Sequence, residues 1–373
     1  MRGSAPDAVE FGVSHRAVQQ GVRPMRLLDR VANCQAPLLL ALDRNPAVPL
    51  EVTGPASYAS HVAECPLRFV LGDDVTRASA ELAFADGARL VGCLDLLRMP
   101  APQMWVEWND EVHQRVVYDT RSVADYDTAA SSRRVGVLLQ ASADGYRARA
   151  RTFWVDVAAD ESSEVTLSPL ETHIDLRGEF VEASDIPAIL SGGLAAVAFR
   201  ANAAINTLLN HVRFRFDASW AAYFRAAATD PEAQRRAVHS SLAAVARDVP
   251  LILAFFLLLS AKDATRSVPI SRTAINRKRQ ANGRSLLLDH IEVHESLDAV
   301  QQSEGGAALA GRQSPRLHHV RGHLVRRDNS VFWRMPHLRG SGARGMVRSR
   351  TVCLSFARPR GAAQSAAADS PRI

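Results

Sequence analysis

The chain has 373 residues, 47% of them hydrophobic and 23% charged, which is long enough for two cores and too apolar for wholesale disorder. Its formal charge of +6 is unevenly spread: residues 1–265 hold 26 Lys and Arg against 32 Asp and Glu, a balance of −6, whereas 266–373 hold 19 against 7, a balance of +12. Cys34, Cys65, Cys93 and Cys353 show no CxxC spacing, which argues against a disulfide framework or thiolate zinc site and predicts a reducing, cytoplasmic compartment.

The segment from Met1 carries no apolar signal-like run, and residues 1–20 are expected to be flexible. From 21 to 180 the chain reads as a mainly β domain. Strands are predicted at Phe69–Leu71, Arg89–Val91, Met104–Trp108, Val135–Leu139, Arg147–Val157 and Val165–Leu167, separated by turn signals such as Asp86-Gly87. The runs flanking Asp144-Gly145 predict a hairpin. Strand alternation places Trp105, Glu107 and Asn109 on one face and Val106 with Trp108 on the other. Glu107 then reads as a solvated or Arg-paired strand residue, with a catalytic role as the alternative.

Residues 185–300 read as a helical section with a returning strand. A helix is predicted over 189–209, and another starts at Asp230-Pro231 and runs to about Arg247. Pro250 predicts a break or kink before an apolar helix over Leu251–Leu259, whose nine residues are too few to span a membrane. Phe214, Phe216, Trp220, Tyr223 and Phe224 read as an aromatic core group. The basic Asn276–Arg279 and Asn282-Gly283-Arg284 precede a strand over Leu286–Val293. A linker is expected at 301–314, a basic His/Arg hairpin at 315–356 and a disordered tail at 357–373.

The hairpin carries the candidate chemistry. Arg321, Arg326, Arg327, Trp333, Arg334, Arg339, Arg344 and Arg348 compose a nucleic-acid-binding surface in which an aromatic interrupts a run of guanidinium groups. Arg suits phosphate because its planar fork matches the oxygens in pairs. His318, His319, His323 and His337 lie in the same segment, but no Cys or acid other than Asp328 completes a tetrahedral set, so no metal site is assigned and no cofactor is expected.

Pro102-x-x-Trp105-x-Glu107-Trp108, Phe255-Phe256-Leu-Leu-Leu, Asn276-Arg-Lys-Arg-x-x-Asn-Gly283 with Asp289-His290, and the ending Arg-Gly-His323 with Trp333-Arg-x-Pro-His337-x-Arg-Gly resemble uncharacterised proteins of tailed bacteriophages and prophages of proteobacteria. The resemblance implies a phage or prophage origin and no particular activity.

The expected fold is α+β: an antiparallel sheet, a helical section and a basic C-terminal β-hairpin. The expected function is contact with nucleic acid, or with another phage protein, without membrane insertion. One alternative is a metal-dependent hydrolase using His319, His323 and His337 with Glu107 or Asp328; another is a structural adaptor in a phage assembly.

Overall fold

The computed structural model describes residues 26–42, 45–119, 133–156, 164–178, 207–227, 231–262, 264–296, 316–320, 323–327, 330–334, 337–339 and 341–346. In chain order the elements are α1 (Leu27–Ala32), β1 (Leu38–Leu42), β2 (Asn45–Val52), α2 (Ala59–Glu64), β3 (Leu67–Leu71), α3 (Asp73–Phe84), α4 (Gly87–Val91), β4 (Gln103–Asn109) and α5 (Asp110–Asp119). There follow β5 (Arg133–Ala141), β6 (Arg147–Asp156), β7 (Thr166–Asp175), β8 (Val212–Phe216), α6 (Ala218–Ala227), α7 (Pro231–Ser260), β9 (Thr265–Ile270), α8 (Thr273–Ala281) and β10 (His290–Glu295). Five short strands close the described chain: β11 (Arg316–Val320), β12 (His323–Arg327), β13 (Ser330–Arg334), β14 (His337–Arg339) and β15 (Ser341–Met346).

The fold is α+β. Eight strands form one sheet in the order β8-β7-β6-β5-β4-β3-β10-β9, antiparallel except where β3 pairs in parallel with β4 and with β10. A parallel pair needs a crossover, which α3 and α4 supply between β3 and β4. The β5–β6 hairpin forms as its turn chemistry predicts. Gly145 sits at φ +74°, and Asp144 accepts the Tyr146 backbone N–H at 3.1 Å. The strand expected around residue 290 is β10, which enters the sheet between β3 and β9.

The middle of the sheet is covered on both faces. Val70, Trp105, Leu138 and Phe153 pack with Leu27, Leu28 and Val31 of α1 and Val62 of α2. Phe69, one residue from Val70 and so on the opposite face, meets Phe255 of α7 with ring centroids 5.5 Å apart. Trp105 is fully buried and alone removes about 200 Å² from water, on the order of 5 kcal/mol of hydrophobic stabilisation.

Two expected elements take a different form. Arg89–Val91 belongs to helix α4, not a strand, and its buried residues Gly87 and Leu90 are three apart, as on one face of a helical turn. Pro250 lies inside the single 30-residue helix α7 and does not divide it. Its missing N–H costs one backbone bond, but Val249 and Leu251 to Leu258 are all buried around it, and that burial outweighs the local loss. The helices α3 and α5 also fall in the segment read as mainly β. The helix expected over 189–209 lies outside the described residues except for its last turn, and so do the 1–20 segment, the 301–314 linker and the 357–373 tail.

The chain divides into two compact units, one of residues 1–296 with 326–332 and one of 297–325 with 333–373. In the second, β11 is central, antiparallel to β14 and parallel to β15. Strands β12 and β13 form a separate two-stranded sheet. No helix among the described residues is long and apolar enough to cross a membrane, and Cys34, Cys65 and Cys93 are free thiols.

Candidate functional site

Glu107 is completely buried in β4, and four donors fill its carboxylate. Arg134 Nε lies 2.7 Å from Oε1, and Oε2 accepts the Leu28 N–H at 3.0 Å. The Leu27 N–H and the Trp105 indole N–H each reach it at 3.3 Å. Two of these donors are free N–H groups of the first turn of α1, so a sheet carboxylate caps a helix that carries no capping side chain of its own. Burial raises the proton affinity of Glu107, but the Arg134 charge and the Leu28 N–H outweigh it and hold its pKa below the ordinary range. Glu107 is therefore the Arg-paired strand residue of the two sequence readings, and its bonds are structural.

Asp29, one turn along α1, is also buried, and its Oδ1 accepts the Leu288 N–H at 2.7 Å. Burial, with a smaller contribution from the Glu107 charge, pushes its pKa up to about 6 against the opposing Leu288 bond. Asn33 donates to the Leu286 carbonyl at 3.1 Å, so α1 holds the 286–288 loop at two points.

On the other side of β4 lies a second buried group. Asp110 and His113 of α5 and Asp248 of α7 bring one ligand-type atom each within 4.8 Å of one another. Their chemistry is that of a cation-binding set. Asp110 Oδ2, however, already takes Arg133 Nε at 2.6 Å and the Gln114 amide, while Oδ1 faces His113 Nδ1 at 3.3 Å. Burial raises the Asp110 pKa, but the His113 hydrogen bond and the Arg133 charge reverse this and hold it at about 2. Burial, reinforced by the Asp110 charge, pushes Asp248 well above the carboxylate range. The Asp110 carboxylate is thus met from within the cluster by Arg133 and His113. The sequence signals were an Asp and a His three apart after a strand, and a lone acid beside the apolar run 249–259; neither is selective enough to have singled out these residues.

The predicted basic residues are distributed along the C-terminal strands. Arg326 and Arg327 lie on β12, Trp333 and Arg334 on β13, Arg339 on β14 and Arg344 on β15; Arg321 and Arg348 lie outside the described residues. Register pairs His318 with Arg339 and Val320 with His337. Arg326 is engaged within its own unit: its two terminal nitrogens each lie 2.9 Å from an Asp95 oxygen, and Nη1 also reaches the Gly92 carbonyl. That fork-to-fork pair lowers the Asp95 pKa.

The basic third begins with a stretch that sequence reading noted but did not assign. From Thr265 to Leu288 there are six Lys and Arg and no Asp or Glu. Helix α8 has no buried residue, and it ends in a Schellman turn, in which Gly283 at φ +62° donates to the Gln280 carbonyl and Arg284 to the Arg279 carbonyl. The Asn276 side chain donates to the Leu287 carbonyl at 2.7 Å and accepts the Leu287 N–H at 2.9 Å, closing the loop onto the helix. Arg279 donates to the Ser285 carbonyl at 2.6 Å. Arg277, Lys278 and Arg284 are exposed, and no described carboxylate pairs with them. Comparison with known protein families, characterised proteins and solved structures finds no match.

Proposed function

We propose that the chain is a phage- or prophage-derived, non-enzymatic nucleic-acid-binding protein whose basic last third contacts phosphate. The observation that carries this reading is the charge separation, −6 over residues 1–265 against +12 over 266–373. A polyanion gains from such a segment by releasing condensed counterions, while the acidic remainder keeps the rest of the surface from binding indiscriminately. Because Arg326 is engaged by Asp95, the phosphate contacts proposed for the C-terminal segment are those of Arg321, Arg327, Arg334, Arg339, Arg344 and Arg348, with Trp333 as the aromatic between them.

Fluorescence anisotropy of labelled single-stranded and duplex DNA and RNA tests this across a salt series. The full chain should bind with a steep negative dependence on salt, and replacing those six arginines by Gln should flatten it. Absence of binding at low salt, where phosphate-driven affinity is greatest, would remove the reading.

A further inference from the structure

We infer that helix α8 and the turn after it form a docking surface for the backbone of duplex DNA, separate from the C-terminal strands. The inference rests on the reading of the last third as nucleic-acid-binding and gives it a specific folded surface. Charge complementarity identifies the occupant: Arg277, Lys278 and Arg284 are exposed on a segment that holds no acid between Thr265 and Leu288.

The surface is also built in advance of binding. Asn276 locks Leu287, Arg279 locks Ser285, and Asp29 and Asn33 hold Leu288 and Leu286 to α1. The cations therefore stand on a helix and turn anchored at both sides, so binding requires little ordering of the backbone.

Three features select duplex DNA among polyanions. The stretch from Thr265 to Leu288 contains no Phe, Tyr, Trp or His, so it offers no platform on which unpaired bases could stack. Ile275 on α8, 43% exposed, and Leu286 in the turn, 47% exposed, are the large exposed apolar side chains of this surface, far too little apolar area to anchor it in a bilayer. With no residue buried, α8 is free to lie in or along a B-form major groove about 12 Å wide, whereas the deep, narrow groove of A-form RNA excludes side chains. The Asn276 amide is already used by the loop, so binding through this helix is governed by phosphate and not by base sequence.

The test uses the full chain and a labelled random-sequence duplex at about 50 mM and about 200 mM salt. The triple variant R277E/K278E/R284E should weaken duplex binding at least about 10-fold at the lower salt and reduce the slope of log K against log salt by about 2 to 3. Among the described residues none of those three side chains makes a hydrogen bond or ion pair, so the melting temperature should be retained. The charge-keeping R277K/R284K should stay within about threefold of the parent, because counterion release depends on charge and not on the guanidinium fork.

If the full chain binds duplex DNA and the triple variant binds equally well, the α8 surface is overturned while the proposed function stands. If the full chain does not bind nucleic acid at all, both fall together. Loss of binding in the triple variant, with the six C-terminal Arg-to-Gln changes without effect, supports α8 and removes the C-terminal strands. If the triple variant loses binding to phosphatidylserine vesicles while duplex binding is unchanged, the surface belongs to a membrane and the inference fails.

Discussion

Replacing Asp29 by Asn should stabilise the protein at alkaline pH and leave it nearly unchanged at acid pH. Asp29 is 3% exposed, and its pKa rises from 3.8 to about 6 because burial opposes ionisation more than the Leu288 N–H favours it. A shift of about two units, at about 1.36 kcal/mol each, places about 3 kcal/mol against the folded state once Asp29 is ionised. The sign follows from proton counting: between the unfolded and folded pKa values the native chain holds the extra proton. The contribution of Asp29 to stability is therefore greatest below about pH 4 and falls as pH rises to about 6. Asn is nearly isosteric, carries no charge and keeps an acceptor for Leu288. Asp29→Asn should thus exceed the parent by about 2 to 3 kcal/mol at pH 8 and by under about 1 kcal/mol at pH 4. Parallel urea denaturation of both proteins from pH 4 to pH 8 measures the difference. A difference that stays flat across this range, or a variant less stable than the parent at pH 8, would refute the assignment of a charge-opposing environment to Asp29.

Three further substitutions probe the buried parts of the sheet. Glu107→Ala leaves Arg134 and two helix N–H groups of α1 without their partner, and should cost about 3 to 5 kcal/mol in urea denaturation. Asp110→Asn should remove a stabilisation that the parent has above about pH 4 and loses as pH falls toward 2, so acid-unfolding curves should converge at low pH and separate by about 2 kcal/mol at neutral pH. Gly136→Ala places a methyl 2.2 Å from Cζ2 of the fully buried Trp105, and should lower thermal stability by at least about 1 to 3 kcal/mol as the indole is displaced.

Local chemistry made several elements legible in the sequence. Asp144-Gly145 specifies the β5–β6 turn because glycine takes φ +74° without a Cβ clash. Pro231 opens α7 because the first helical N–H needs no partner. Charge asymmetry, the basis of the functional proposal, is a property of sequence alone. Tertiary structure decided what depends on long-range partners. Pro250 stays inside a continuous helix because the surrounding apolar side chains are buried, a circumstance no local window contains. Glu107 is a helix cap and not an open acid because Leu27, Leu28 and Arg134 reach it from 80, 79 and 27 residues away. Asp110, His113 and Asp248 meet because α7 packs across the sheet from a point more than a hundred residues further along the chain. Arg326 was legible as one cation among many, and only the fold places Asp95 against it, 231 residues earlier. Turns and caps are fixed by the conformational preferences of one to four residues, whereas burial and ion pairing depend on which distant segments the sheet brings together.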